Sequence, residues 1–463
     1  METLLMTGRS ARLAIIIIGG GASGVLLAAH LLDSADADIR VTLIEKRAAF
    51  GQGLAYSTTL DDHILNVSAL GMSAYADDPE HFWRWLGNTG RAPDSNPRKI
   101  YVPRHVYGEY LADILDGLKA AEGPNGRLHL VSEECVSVAT TPSGVAVELA
   151  NGTSLVGHVA VLAVGHEEQP VVGGSLAIRP GDDAGSELDR DQPILILGTG
   201  LSMVDAWVSL AARGHRGKVT AVSRRGLLPS INRKGKPIRL DSADVPLGTE
   251  LSYFVRWFRD LVRTTERNGG DWRDVVDGIR PFNQMIWRSW PPSARRRFIE
   301  HTRAWWDIHR HRMPPTLHER ISQAVESGRL ELVAGKFIGA RRDGDGIEAT
   351  IRRRGDAQPQ TLRAARIYDC TGITADLAAG TNPVVRSLMD RGLARPDPLH
   401  IGLDVNDGCA IVKADGHPSE RLYAIGPLTR GAFFEIEAIP DIRVQCAMLA
   451  RNLTARAKLA QAG

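Results

Sequence analysis

The chain of 463 residues has few cysteines, no long hydrophobic run and almost no net charge. Its four cysteines, Cys135, Cys370, Cys409 and Cys446, form no C-x-x-C, which excludes a zinc ribbon and a dithiol redox pair and is typical of a reducing compartment. No segment approaches the roughly 18 to 20 apolar residues of a spanning helix. A net charge of +2 does not indicate the strongly basic surface that is typical of a nucleic-acid-binding protein. These absences predict a cytoplasmic protein without a nucleic-acid partner, a membrane partner or a metal site.

Glycine is plentiful, at 47 residues, and its positions form a first pattern. The apolar run 13–18 predicts a buried parallel strand, and it ends in Gly19-Gly20-Gly21-Ala22-Ser23-Gly24, a G-x-G-x-x-G. A helix over 25–32 and a strand over 39–44 follow, and that strand ends in Glu45. In this order Gly19 makes the tight turn, Gly21 lets the backbone approach a pyrophosphate, and Gly24 allows the helix to pack closely on the strand. Glu45 then accepts hydrogen bonds from ribose hydroxyls. We therefore predict an FAD site rather than an ordinary glycine-rich turn.

The pattern recurs in the second half of the chain. A strand over 194–197 leads to Gly198-Thr199-Gly200-Leu201-Ser202-Met203, a helix to about residue 212, and a strand over 219–222 that ends in Ser223-Arg224-Arg225. Glu45 lies 26 positions after Gly19, and Arg224 lies 26 positions after Gly198, so we expect Arg224 to occupy the place of Glu45. Arginine favours a 2′-phosphate, which predicts NADPH rather than NADH. The alternative is a solvated basic turn at Arg224 and Arg225.

With further motifs, the chain resembles FAD/NAD(P)-binding flavoproteins related to flavin-dependent N-hydroxylating monooxygenases. The motifs that carry the resemblance are 51–57, 63–67 leading to 72–74, 77–79, 102–104 with 107–108, 223–229, 426–431 and 438–443. Two features depart from relatives: Pro427 stands where many have an Asp that holds the ribityl chain, and no F-x-G-x-x-x-H precedes Gly198. The second departure argues against the Baeyer–Villiger and animal-type subgroups.

The resemblance implies contacts to both cofactors. The expected FAD residues are Gly19, Gly21, Ser23, Gly24, Glu45, Lys46, Gly53, Tyr56, Asn66, Arg104, Gly372, Gly426 and Pro440, with Gly53, Tyr56 and Asn66 at the isoalloxazine. The expected NADPH residues are Gly198, Gly200, Ser202, Ser223, Arg224 and Arg225.

The same pattern predicts the fold class and the domains. We expect an α/β protein with two Rossmann-like dinucleotide-binding domains, for FAD and NADPH, and a helical insertion. The predicted FAD domain is discontinuous, over residues 1–175 and 376–463, and the NADPH domain covers 176–375. The insertion lies at about 240–325, where the βαβ rhythm gives way to helix-like sequence.

The insertion holds six of the nine tryptophans and a basic stretch from Arg295 to Arg312. In one interpretation it is an amphipathic helix whose aromatic residues pack on the NADPH domain. In the other, Trp306, His309, His311 or Arg312 reaches the flavin and binds an anionic substrate. We take Asn66, His311 and Arg312 as candidate catalytic residues. A metal site at His309 and His311 is disfavoured because positions i and i+2 do not share a helix face.

The leading functional hypothesis is an NADPH-dependent FAD monooxygenase that uses O₂ through a peroxyflavin. The resemblance implies a small soft nucleophile as substrate, such as an amine or an amino acid. One alternative is an FAD-dependent NAD(P)H reductase or dehydrogenase without oxygen insertion. Another is a non-catalytic binding protein that keeps the flavoprotein fold. The sequence leaves the oligomeric state open.

Overall fold

The computed structural model describes residues 13–33, 38–92, 96–123, 126–166, 170–182, 188–233, 235–372 and 376–462. The chain divides into two compact units. Unit 1 comprises residues 1–61, 67–169 and 375–463, and unit 2 comprises 62–66 and 170–374. The division differs from the predicted domain boundaries at residues 62–66 and 170–175. The predicted boundary after residue 375 falls beside 373–375, which lie outside the described residues.

Unit 1 is built on a six-stranded sheet in the order β15-β16-β7-β1-β2-β3, parallel except for the β15–β16 pair. Its strands are β1 (Leu13–Ile18), β2 (Ile39–Glu45), β3 (Leu128–Ser132), β7 (Val159–Leu162), β15 (Ala410–Val412) and β16 (Pro418–Ala424). The four isoleucines of β1 are at most 3% exposed, as expected for a central strand that is covered on both faces.

Helices and a small sheet complete unit 1. The helices are α1 (Ala22–Leu32), α2 (His81–Asn88), α3 (Arg104–Glu122), α11 (Pro383–Asp390) and α12 (Ile439–Ala462). The antiparallel sheet consists of β4 (Cys135–Thr140), β5 (Val145–Leu149) and β6 (Ser154–Gly157). Helix α12 packs against α1, and this contact brings the C-terminal part of the chain to the first glycine turn.

Unit 2 is built on a seven-stranded sheet in the order β13-β12-β11-β10-β9-β14-β8. Its strands are β8 (Ala177–Ile178), β9 (Ile194–Leu197), β10 (Val219–Ser223), β11 (Leu330–Asp343), β12 (Gly346–Arg353), β13 (Gln360–Ala364) and β14 (Arg366–Asp369). The pairs around β9 and β10 are parallel, whereas β11, β12 and β13 are antiparallel. Helix α4 (Leu201–Ala212) follows β9 and packs its apolar face into the core of the unit.

The predicted insertion is helical. It contains α5 (Leu251–Arg267), α6 (Trp272–Ile279), α7 (Asn283–Ser289), α8 (Pro292–Arg297), α9 (Arg303–Arg310) and α10 (Pro315–Glu326). A π-helical turn, Phe298–Thr302, lies between α8 and α9, so that helical conformation continues without a break over residues 292–310, as the first interpretation expected for the basic stretch. Among the described residues, no helix is both long enough and apolar enough to cross a membrane.

Candidate functional site

The first glycine turn connects β1 to α1. Gly19 has a φ of +109°, and a Cβ at this position would overlap the carbonyl group of Ala163 on the neighbouring strand end. A side chain at Gly24 would overlap the Gly19 carbonyl oxygen in the same way, so the helix lies directly on the turn. Helix α1 begins after Gly21 without a side-chain cap. Its first N–H groups therefore have the geometry that binds a phosphate.

Glu45 is held beside this turn by two backbone donors. Gly20 N–H donates to one carboxylate oxygen at 2.8 Å, and Arg47 N–H donates to the other at 3.0 Å. The side chain is 8% exposed. A carboxylate has about four acceptor positions, so these two bonds orient Glu45 and leave capacity for ribose hydroxyls.

The segment after Glu45 returns to the glycine turn. Gly51 N–H donates to the Gly20 carbonyl oxygen at 2.7 Å, and a Cβ on Gly21 would lie 3.4 Å from the Gly53 Cα. Tyr56 is half-buried on the same segment, and its ring centroid lies 4.8 Å from that of Tyr107. Gly53 is thus brought to the turn, with Tyr56 on the same segment.

Tyr56 and Lys46, both predicted to contact FAD, lie in different environments, one half-buried among other groups and one in an exposed ion pair. Burial raises the pKa of Tyr56 above its usual range, and the positive charge of Arg104 opposes that rise. Lys46 forms an exposed ion pair with Glu134 at 3.5 Å. A cofactor contact by Lys46 therefore competes with this pair.

The C-terminal part of unit 1 completes the first turn. Gly426 has a φ of +69°, and a Cβ there would lie 2.5 Å from the Ser23 Oγ. Gly426 N–H donates to the Gln445 side-chain oxygen at 2.7 Å, and the Gln445 amide donates to the Thr429 hydroxyl at 3.1 Å. Pro440 is the second residue of α12, the helix that carries Gln445. Thr429 lies within the motif 426–431, but it was not assigned a role, and Gln445 was missed because it lies outside the motif 438–443.

The second glycine turn repeats the geometry of the first. Gly198 has a φ of +111°, and a Cβ there would overlap the Cys370 carbonyl oxygen. Gly198 N–H donates to the Val222 carbonyl oxygen at 2.7 Å, as Gly19 N–H does to Ile44 at 2.9 Å. Helix α4 begins after Gly200 without a side-chain cap, and a Cβ on Gly200 would meet no atom within 4 Å among the residues described.

The predicted equivalence of Arg224 and Glu45 is wrong by one residue. Leu13 of β1 pairs with Ile39 of β2, an offset of 26, whereas Ile194 of β9 pairs with Val219 of β10, an offset of 25. The chain from the first strand to the second is one residue shorter in unit 2. Ser223 therefore occupies the position of Glu45, and Arg224 follows it.

A hydroxyl network replaces the carboxylate at this position. The Ser223 and Thr199 hydroxyls are 2.8 Å apart, and the Thr199 hydroxyl donates to the Leu227 carbonyl oxygen at 2.6 Å. Gly226 N–H donates to the Ser223 Oγ at 3.0 Å. Arg224 is exposed and makes no hydrogen bond or ion pair with any residue that the structure describes. The site thus lacks the acid of unit 1 and has an available arginine beside it.

The other predicted NADPH residues lie at the same end of the sheet. Ser202 is exposed in the first turn of α4, and its carbonyl oxygen accepts from the Cys370 thiol at 3.4 Å. Arg225 donates to the His301 carbonyl oxygen at 3.2 Å. Arg225 therefore anchors the helical insertion, and Arg224 is the better candidate for a phosphate contact.

Two residues predicted for FAD belong to unit 2. The Asn66 carbonyl oxygen lies 3.5 Å from the Asn232 amide nitrogen, which donates to it. Gly372 follows β14 with a φ of +82°. Their contact with FAD stays a prediction, and no signal in the sequence indicated that they belong to unit 2.

The candidate residues of the insertion are engaged within unit 2. Arg312 is 6% exposed and forms an ion pair with Asp277, and its guanidinium carbon lies 6.0 Å from the Trp272 ring centroid. His311 lies 3.9 Å from the Asp307 carboxylate. These contacts favour the packing interpretation for Arg312. The other terminal nitrogen of its guanidinium group is buried and has no hydrogen-bond partner among the described residues.

Residues 16–167 match a protein family described as FAD-NAD(P)-binding. An uncharacterized protein of Mycobacterium tuberculosis, Rv3403c, is 22% identical, and the match covers 95% of each chain. An uncharacterized protein of Mycobacterium bovis, Mb3437c, matches to the same extent. The family match confirms the predicted resemblance to FAD/NAD(P)-binding flavoproteins and names both predicted cofactor classes.

Solved structures of flavin monooxygenases share the fold over nearly the whole chain. The ornithine N-hydroxylase of Kutzneria sp. 744 has a TM-score of 0.66 and 14% identity, covering 96% of this chain and 100% of its own. The FAD-bound cadaverine monooxygenase DfoA of Erwinia amylovora has a TM-score of 0.67 and 13% identity, covering 96% and 95%. Lactococcus lactis thioredoxin reductase has a TM-score of 0.53 and 12% identity, covering 96% and 99%. The predicted fold class is confirmed.

Proposed function

We propose that this chain is an NADPH-dependent FAD monooxygenase that oxygenates the nitrogen of a small amine or amino acid. The observation that carries the proposal is the pair of equivalent glycine turns with different residues at one position, Glu45 in unit 1 and Ser223 in unit 2. The acid suits the unphosphorylated ribose of FAD, and the neutral hydroxyl beside Arg224 suits a 2′-phosphate.

The residues of unit 1 fit FAD. The uncapped N-terminus of α1 offers N–H groups to a pyrophosphate, Glu45 is fixed by two backbone donors, and a Cβ on Gly53 would lie 3.3 Å from the Gly21 Cα. Pro427 cannot provide the ribityl contact that an Asp provides in many relatives. The flavin supplies the redox and oxygen chemistry when bound, and the chain supplies binding and orientation.

The residues of unit 2 fit NADPH. Gly200 leaves open space at the turn, Ser223 presents no negative charge, and Arg224 is exposed without a partner in the described part of the chain. Hydride donation requires the nicotinamide to be oriented, and the glycine turn with α4 fixes the phosphate end of the nucleotide for this purpose.

Oxygenation of nitrogen is supported by the likeness to the ornithine and cadaverine enzymes. The reductase alternative shares the fold, as the thioredoxin reductase likeness shows. The cysteines do not favour a thiol relay, because all four are buried and free. Burial also raises the pKa of Cys370 and Cys446 well above the usual range, which disfavours reactive thiolates.

The test is a stoichiometry measurement on the FAD-loaded protein with NADPH and a panel of amines and amino acids. A monooxygenase consumes one O₂ per NADPH and forms one hydroxylated product, with little H₂O₂. NADPH oxidation that yields H₂O₂ with every candidate amine, combined with rapid reduction of an artificial electron acceptor, would favour the reductase. A protein that binds neither FAD nor NADPH would be a scaffold without catalysis.

A further inference from the structure

A five-residue segment of the chain, Asp62–Asn66, belongs to unit 2, although the residues on both sides of it in the sequence belong to unit 1. Residues up to Asp61 and from Val67 onward belong to unit 1. None of the five residues is exposed, and Leu65 is 4% exposed. We name this segment the strap. The predicted domain boundaries placed these residues in the FAD domain, over 1–175.

His63 attaches the strap to α4. Its Nε2 atom lies 2.8 Å from the Ser209 Oγ and 3.2 Å from the Asp205 carbonyl oxygen. The Ser209 hydroxyl donates its own hydrogen to the Asp205 carbonyl oxygen at 2.9 Å. Because that hydrogen is committed and the carbonyl can only accept, the proton must be on His63 Nε2, which donates to both oxygens.

Other contacts hold the strap on either side of His63. Asp62 forms an ion pair with Arg320 of α10 at 2.8 Å. The Ile64 side chain packs against the core of unit 2. The Asn66 carbonyl oxygen accepts from Asn232 at 3.5 Å. The strap is thus fixed by a charge, an apolar side chain and hydrogen bonds, and His63 provides its link to α4.

We propose that His63 is a positioning residue that latches the strap to α4, so that a nicotinamide nucleotide bound at the second glycine turn also orders the strap. Helix α4 begins at Leu201, and Asp205 and Ser209 lie about one and two turns further along it. A ligand that orders α4 from its N-terminus therefore orders the acceptors of His63. The inference rests on the proposed function because the ligand is NADP⁺.

The coupling gives the strap a role in the reaction. Asn66, at the end of the strap, is one of the residues expected near the reacting centre. If the strap is released, the phosphate end of the nucleotide still binds at the turn, but the strap no longer holds Asn66 in a fixed position. Loss of His63 therefore lowers the rate of flavin reduction more than it weakens NADPH binding.

The experiment measures amide hydrogen exchange of peptides that contain residues 62–66, in full-length FAD-loaded protein with and without saturating NADP⁺. In the natural protein we expect NADP⁺ to slow exchange in the strap. In His63→Ala we expect several-fold faster exchange without the ligand and loss of the slowing by NADP⁺. His63→Gln should restore much of the effect, since its amide nitrogen can donate from a similar position. Ser209→Ala should reproduce part of it, and the double variant should be non-additive.

A second His–Ser pair in unit 2 provides the matched control. His318 Nδ1 and Ser322 Oγ are 3.5 Å apart on α10, and neither residue forms a hydrogen bond with the strap. His318→Ala and Ser322→Ala should leave strap exchange and the rate of flavin reduction within about twofold of the natural protein.

The outcomes separate the two proposals. Strap exchange that is the same in His63→Ala and the natural protein overturns the latch. If NADP⁺ does not change the amide exchange rate of the strap, although calorimetry shows that NADP⁺ is bound, the coupling is overturned and the proposed function stands. Failure to bind NADP⁺ at any concentration refutes the proposed function and the coupling, whereas exchange in the ligand-free variants still decides whether His63 holds the strap.

Discussion

Replacement of Ser223 by glutamate tests the assignment of the two dinucleotide sites. Ser223 is the counterpart of Glu45, so Ser223→Glu places a carboxylate where unit 1 has one. At about 5 Å from a 2′-phosphate and with an effective dielectric constant between about 20 and 40, each pair of unit charges repels by about 1.7 to 3.3 kcal/mol. The half-exposed position favours the lower value, which corresponds to about a 20-fold loss of kcat/KM for NADPH.

A second substitution makes the test sharper. In unit 1, a Cβ on Gly20 would lie 2.7 Å from the Glu45 Cβ, so the glycine provides room for the acid. Thr199 holds the equivalent position in unit 2, where its hydroxyl contacts Ser223. We expect the double variant Thr199→Gly/Ser223→Glu to have a higher kcat/KM for NADH than Ser223→Glu alone. Without the Thr199 side chain, the new carboxylate can accept a hydrogen bond from the backbone N–H of residue 199.

The assay is steady-state oxidation of NADPH and NADH by the FAD-loaded variants, reported as the ratio of kcat/KM values. Arg224→Ala serves as a comparison, since it removes an attractive charge without adding a repulsive one and should lower the ratio by a smaller factor. A Ser223→Glu protein that keeps its NADPH to NADH ratio within about twofold would refute the placement of the 2′-phosphate beside Ser223.

Three further predictions concern unit 1. Glu45→Gln should raise the Kd for FAD about tenfold, because an amide replaces the charged acceptor of two N–H groups, and full flavin retention after dialysis would contradict the ribose role. Gly426→Ala should lower the free energy of unfolding by about 1 to 3 kcal/mol, since φ is +69° and the new Cβ meets Ser23; urea denaturation measures this, and an unchanged midpoint would disprove the strain. Tyr110→Phe should lower it by about 1 to 2 kcal/mol, because the Ala74 N–H and His81 lose the hydroxyl that they contact at 3.1 and 2.7 Å; a thermal melt at or above that of the natural protein would contradict the loss.

Much of the fold could be predicted because its signals are local. The apolar run of β1 and the glycines after it appear directly in the sequence, and the same holds for β9 and Gly198. The counterpart of Glu45 could not be placed by counting, because the length of the connection between α4 and β10 determines the register of β10 and differs from that in unit 1. Counting gave Arg224, which lies one position after the structural counterpart, Ser223.

The interior of the site was less accessible to sequence reasoning. Gln445, which accepts from the Gly426 N–H, lies on α12, and α12 packs on α1, a helix more than 400 positions away along the chain. The motif 63–67 marks most of the strap in the sequence, but only the tertiary contacts show that it belongs to unit 2. The basic stretch before Met313 reads as one helix, and the π-helical turn that lies within it has no clear signature in the sequence.

The distribution of the cysteines offers a means to follow each unit separately. Cys370 is the single cysteine in the sequence of unit 2, whereas Cys135, Cys409 and Cys446 belong to unit 1, and all four thiols are buried. A thiol reagent can modify a buried cysteine only when its surroundings open. The labelling rate of Cys370, resolved by peptide mass spectrometry, therefore reports the opening of unit 2, and the other three report unit 1. Cofactor-specific protection of one rate but not the other would show, without any substrate, which unit each nucleotide stabilises.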